Sequence, residues 1–247
     1  MARLRHFGQA VLRYSNWIAA AVVTLCAVYL HALFFLNAGG LWRDEIELVN
    51  LSVLPSFSEM WQKLPHDSCP ILMHFVVRAW SAAASLGNTD PGLRVLGLYL
   101  GLFLLLAFWF ASWTMRKGPP LLAVTLAGLS VTIIRAGDSL RGYGLASALA
   151  VLTLALIWRL TRHPSLAAFC CAMAVAVLSV QSLYQNAFLL FAACCGAQPI
   201  LVRFRSEFFH VPGKINCTAS NLRPTLQRCS FGWAFSCCRA SSLISSR

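Results

Sequence analysis

The sequence predicts an all-α fold: a polytopic transmembrane helix bundle with one surface-lying helix in its first outer loop. Three observations carry that expectation. Hydrophobic residues make up 58% of the chain and charged residues 11%, where a globular domain is roughly one quarter charged. Several apolar runs approach the ~20 residues that take a helix across a bilayer. Seven of the eight acids (Asp44, Glu45, Glu47, Glu59, Asp67, Asp90 and Asp138) fall within one stretch, while the bases gather at the N-terminus, in short turns and in the tail. Such a mapped net charge of +12 reads as a topology signal, and no nucleic-acid partner is expected. Ten cysteines do not suggest a disulfide framework, because half of them sit inside apolar runs, where Cys behaves as a small hydrophobe.

The elements follow in order. Arg3, Arg5 and Arg13 precede the first apolar run, so the N-terminus stays inside and the first span, residues 17–36, runs outward. That run is long for a cleaved signal segment, whose apolar part is ~7–15 residues. Residues 37–91 form the first outer loop. Within it, 71–86 is marginal in length and carries Arg78 at its middle. A charge at mid-bilayer is costly, so this stretch is expected to lie along the surface. Further spans are expected at 93–114, 119–134, 143–158, 165–182 and 184–202. Placing the Arg116/Lys117, Arg159/Arg162 and Arg203/Arg205 turns inside makes these spans alternate without conflict, and leaves Asp90 and Asp138 outside. The membrane module thus covers 1–205. Residues 206–247 lose the apolar runs and show no helical or strand period. This tail is expected to be disordered or aberrant, the product of a truncation or frame shift, and the chain correspondingly incomplete and inactive on its own.

The outer face collects the groups that could carry chemistry. Leu41-Trp42-Arg43-Asp44-Glu45-Ile46-Glu47 leaves the first span. His66 and Asp67 precede the surface helix, Arg94 opens the second span, and Asp138, Arg141 and Tyr143 form the next outer turn. Carboxylates suit proton abstraction or metal binding; the guanidinium fork suits phosphate. Together they point to a lipid-phosphate substrate. Each residue also has a plainer reading. Glu45 and Glu47 are then solvated acids, Arg94 an interfacial anchor, Asp138 and Arg141 an i,i+3 pair, His66 and Asp67 helix caps, and Trp42, Trp61 and Trp80 interfacial aromatics.

In order along the chain, these motifs resemble the C-type integral-membrane glycosyltransferases. That family includes dolichyl-phosphate-mannose protein mannosyltransferases and bacterial enzymes acting on lipid A or cell-envelope glycans. Trp42-Arg43-Asp44-Glu45 matches its acidic pair after the first span. His66-Asp67-Ser68-Cys69-Pro70-Ile71-Leu72 resembles its His/Asp-x-x-Pro-Pro-Leu stretch, with Cys69 in place of the first proline. Leu86-Gly87 with Arg94, then Asp138-Ser139-Leu140-Arg141-Gly142-Tyr143, resemble its later turns. The likeness covers about 17–200, whereas family members continue through several more spans. It implies a multi-pass protein of the cell inner membrane with a periplasmic active face, a polyprenyl-phosphate sugar donor, and a glycan, lipid or protein acceptor. Asp44 would be the catalytic base with Glu45 beside it, and Asp138 a further catalytic acid. His66, Asp67, Arg94, Arg141 and Tyr143 would bind substrate. Participation of a divalent metal is left open. The alternatives are a non-catalytic membrane assembly subunit and a transporter fragment.

Overall fold

The computed structural model describes residues 2–195, apart from Ser68, residues 84–86 and Asn88; residues 2–13 and His66 are described by backbone alone. The expectations for the tail, and for the end of the 184–202 span, lie outside the described residues. Every regular element among those residues is helical.

Helix α1 runs Ala2–Asn37. The loop expected at 37–91 is itself built of helices: α2 (Arg43–Ser52), α3 (Phe57–Lys63), a 3₁₀ turn (Leu64–His66) and α4 (Ile71–Ala83). Then come α5 (Asp90–Arg116), α6 (Leu121–Gly128), α7 (Val131–Gly137), α8 (Tyr143–Arg162) and α9 (Leu166–Ser182), followed by α10 (Asn186–Cys195).

Local chemistry explains the ends. The Thr89 hydroxyl accepts from Gly92 N at 3.3 Å, Asp90 sits in the first turn of α5, and Arg116 in its last. Both charges oppose the helix dipole. Ser165 caps α9 in the same way, accepting from Ala168 N at 3.1 Å.

Three helices are long and apolar enough to cross a membrane: Tyr14–Asn37, Asp90–Arg116 and Tyr143–Arg162. Between 17% and 50% of their most apolar windows is buried, so Leu25, Leu106 and Trp113 stay exposed. Bare apolar flanks of this extent are stable in hydrocarbon and costly in water, which indicates a membrane protein. α4, α9 and α10 are shorter apolar helices.

Contacts fix the directions of the helices. Trp17 of α1 lies 6.0 Å from Trp109 and 6.1 Å from Trp113, late in α5, while His31 lies against Gly101, early in α5. α1 and α5 are therefore antiparallel. Leu96, Leu100, Leu145 and Leu149 share one core cluster, and Leu104, Ala107 and Ala148 the next, so α5 and α8 run parallel. α9 returns, bringing Ser182 O beside Gly142. The ends of α1 and α9 and the starts of α5, α8 and α10 thus meet at one pole, which also holds α2–α4. Arg116, Lys117, Arg159 and Arg162 gather at the opposite pole.

One expectation needs revision. Residues 119–134 do not form one helix: the pass is broken into α6 and α7, with Ser130 extended between them. A Cβ at Gly128 would lie 2.9 Å from the Ala27 methyl; α6 passes close to α1 there, just before the break. Arg78, the charge that set residues 71–86 apart from the spans, finds its partners within the protein. Its guanidinium donates to the carbonyls of Ser52 (3.0 Å), Leu54 (2.8 Å) and Pro55 (3.4 Å), capping the negative end of α2. α4 nonetheless keeps to one pole: Cys69 Sγ, just before it, reaches Arg141 O at 4.0 Å, and Trp80 near its end donates to Gly92 O at 3.0 Å. That bond, with the edge-on contact of Trp80 to Tyr99 at 5.8 Å, makes Trp80 a packing residue between α4 and α5.

Candidate functional site

The first turn of α2 and the 138–142 turn meet at the α2 pole. Asp44 Oδ2 pairs with Arg141 Nη1 at 3.0 Å, and the two side chains remain 34% and 31% exposed. Both are thus held in place yet reachable from outside. The adjacent residue, Glu45, is buried, as its place on the next face of the helix requires. Its Oε1 accepts from Leu140 N at 3.0 Å. Its Oε2 accepts from Trp42 N at 2.9 Å, which caps α2, and lies 3.4 Å from Arg94 Nη1. Arg94 in turn donates to Gly40 O. One carboxylate therefore ties together the end of the α1–α2 loop, the start of α5 and the α7–α8 turn. Glu45 is engaged on both oxygens; Asp44 presents the open carboxylate edge. The Nε groups of Arg94 and Arg141 are buried without a hydrogen-bond partner among the described residues.

Asp138 faces elsewhere. Its carboxyl is buried and its Oδ1 lies 2.6 Å from His31 Nδ1 of α1, so it does not share a cleft edge with Asp44. Nor is it an i,i+3 partner of Arg141: the two residues bond to different helices. Glu47 lies on the exposed side of α2, 3.5 Å from Arg43.

Asp67 enters a second cluster. Its Oδ1 accepts from Cys69 N at 3.1 Å, a local turn that leads into α4. Its Oδ2 lies 3.1 Å from His74 Nε2, near but without hydrogen-bond alignment. His74 Nδ1 meets Ser52 Oγ at 3.1 Å, and that hydroxyl also lies 2.7 Å from Leu48 O, to which it donates. Burial pushes the proton affinity of His74 below the ordinary histidine value, against the raising effect of Asp67. Ser, His and Asp in contact suggest a nucleophilic triad, but Ser52 and His74 are fully buried and the hydroxyl is committed to the α2 backbone. The cluster fastens α2 to α4.

Of the sequence-predicted residues, Asp44, Glu45, Arg94 and Arg141 come together, while Asp138 and Asp67 serve neighbouring contacts. Tyr143 opens α8 and is 38% exposed. The His66 side chain lies outside the described residues. His31, His74, Ser52 and Arg78 were not among the predicted site residues. A lone His in an apolar span was the available signal for His31, as was the Gly97-x-x-x-Gly101 spacing, which lets another backbone approach. Among the described residues, no group of three or more His, Cys, Asp or Glu side chains is arranged to hold a metal ion.

No family model, curated protein or solved structure matches the chain.

Proposed function

We propose that the chain is a multi-pass membrane glycosyltransferase module. In this reading Asp44 and Arg141 act on a polyprenyl-phosphate sugar at the outer, periplasmic face. The observation that carries it is the Asp44–Arg141 pair: an accessible carboxylate 3.0 Å from an accessible guanidinium, anchored from behind by the buried Glu45–Arg94 contact. A general base and a phosphate-binding cation side by side suit inverting transfer. Asp44 would take the proton of an acceptor hydroxyl or amine as that group attacks the anomeric carbon. The bond to the lipid phosphate would break, and Arg141 would receive the departing phosphate charge. Arg94 would lie behind it. The bilayer holds the donor, and the acceptor is a glycan, lipid or protein. If a divalent metal takes part, Asp44 is the open carboxylate available to it.

The reading carries a topology with it. Six spans with both termini inside would leave the basic Arg116 and Arg159 pole in the cytoplasm and the Asp44 pole outside. α4 would lie at the outer surface.

The test is Asp44→Asn in the full chain, reconstituted in vesicles with a polyprenyl-phosphate sugar. The amide preserves the shape and cannot accept the proton. Donor binding should persist, and whatever transfer the unmodified chain supports should fall by roughly 10²–10⁴-fold. Unchanged transfer would reject Asp44 as base. Failure of the unmodified chain to bind the donor would reject the site.

A second reading, a transporter fragment, is favoured by one observation: the ionisable His31–Asp138 pair lies between helices, where transport proteins place such groups. Donor binding that survives in Arg141→Gln while proton-driven solute uptake appears would favour it over the transferase.

A further inference from the structure

The His31–Asp138 contact is unlike the rest of the bundle interior. Both groups are buried, and Oδ2 of Asp138 is buried with no hydrogen-bond partner among the described residues. Three elements converge to make the contact possible. α1 supplies His31, the end of α7 supplies Asp138, and α5 supplies two glycines in place of side chains. A Cβ at Gly97 would collide with the Asp138 carbonyl, and one at Gly101 with the Asp138 carboxyl, coming within 2.7 Å of the His31 ring as well.

Packing alone gives no reason for this arrangement. An apolar pair of the same volume often stabilises a helix interface as well as a buried polar or ionic contact, or better. What the pair adds is direction. Asp138 is the first residue of a turn whose next residues do the binding at the pole: Leu140 N donates to Glu45 and Arg141 reaches Asp44. The turn is thus fastened at its root by α1 and at its tip by α2.

We propose that His31 is a positioning residue: by gripping Asp138 inside the bundle it fixes the 138–142 turn, and so sets where Arg141 meets Asp44. The grip is short and made by one ring atom: Nδ1 of His31 lies 2.6 Å from Oδ1 of Asp138. This placement does not depend on the transferase reading; only the activity arm of the test rests on it.

Single substitutions separate position from bulk. In Asn the amide NH₂ falls close to the place of the imidazole Nδ1. In Gln it falls one atom further out, near the place of Nε2. The readout is hydrogen exchange of the Leu140 amide in the full chain, with the amides of residues 104–111 in α5 as the folding reference. His31→Asn should exchange within about twofold of the unmodified protein. His31→Gln and His31→Phe should exchange at least about tenfold faster at Leu140 with the α5 reference still protected. Equal Leu140 exchange in His31→Gln, His31→Phe and the unmodified protein overturns the proposal. If His31→Phe also loses the α5 reference, the Asn and Gln variants decide: a difference between them upholds the positioning role, and equal rates overturn it. In the activity arm, donor binding should follow the same order, with Asn retained and Gln weakened. Loss of ordered exchange contradicts the latch. Ordered exchange without donor binding in any variant contradicts only the transferase reading.

Discussion

At the scale of single residues, burial separates two neighbouring acids into different roles. Asp44 keeps an open edge, whereas Glu45 is enclosed by Leu140 N, Trp42 N and Arg94. Removing one partner of a buried charged contact costs about 3–5 kcal/mol. Glu45→Ala should therefore destabilise the chain by roughly 3 kcal/mol, read as a lowered midpoint in denaturant unfolding in detergent. A change below about 0.5 kcal/mol, the range of an ordinary surface substitution, would show that Glu45 is solvated after all. His74 makes a pH prediction. Its folded proton affinity lies below the ordinary value because of burial, so the unfolded chain binds more protons. The stability it contributes is complete above the unfolded pKa of about 6.5, and is lost as pH falls through that value toward the folded one. The thermal midpoint should drop as pH falls below about 6.5, and His74→Gln should flatten that slope. An unchanged slope would assign the drop to other groups. The charged part of the site was legible because a chain with so few charges makes each cluster conspicuous. His31 was not, since one His within an apolar run gives no sign of a partner 107 positions away.

At the scale of elements, the long passes were legible from apolar length, with boundaries extended by a few residues in the structure. The break between α6 and α7 was not. Residues 119–134 are largely apolar, and neither the extended Ser130 nor the close approach of Gly128 to Ala27 shows in composition. The helices inside the first outer loop were only partly legible, because α2 and α3 are short and fixed by tertiary bonds such as those of Arg78. The glycine pair of α5 yields a prediction at this scale. Gly101→Val would place two methyls against His31 and Asp138, neither of which can retreat without losing its partner. Overpacking of this kind costs about 1–3 kcal/mol, and the loss should appear with faster exchange in the 138–142 turn. A neutral Gly101→Val would mean that α5 and α7 are further apart than the structure shows.

At the scale of the whole molecule, two unlike poles organise the chain. One gathers Arg116, Lys117, Arg159 and Arg162; the other gathers Asp44, Glu45, Arg94 and Arg141. If the basic pole faces the cytoplasm, Lys117→Cys and Ser139→Cys should react with impermeant thiol reagents from opposite sides of the membrane. Labelling of both from one side would contradict the arrangement. The two poles were legible from where the charges fall along the chain; the pairing of particular acids with particular bases required the folded contacts. The most direct measurement of the proposed site is photocrosslinking of the full chain by a polyprenyl-phosphate sugar carrying a photoreactive group beside the phosphate. Adducts should map to residues 40–48 and 138–145, and should weaken in Arg141→Gln. Adducts confined to the Arg116 and Arg159 pole, or an unchanged pattern in Arg141→Gln, would contradict a lipid-phosphate site built on Asp44 and Arg141.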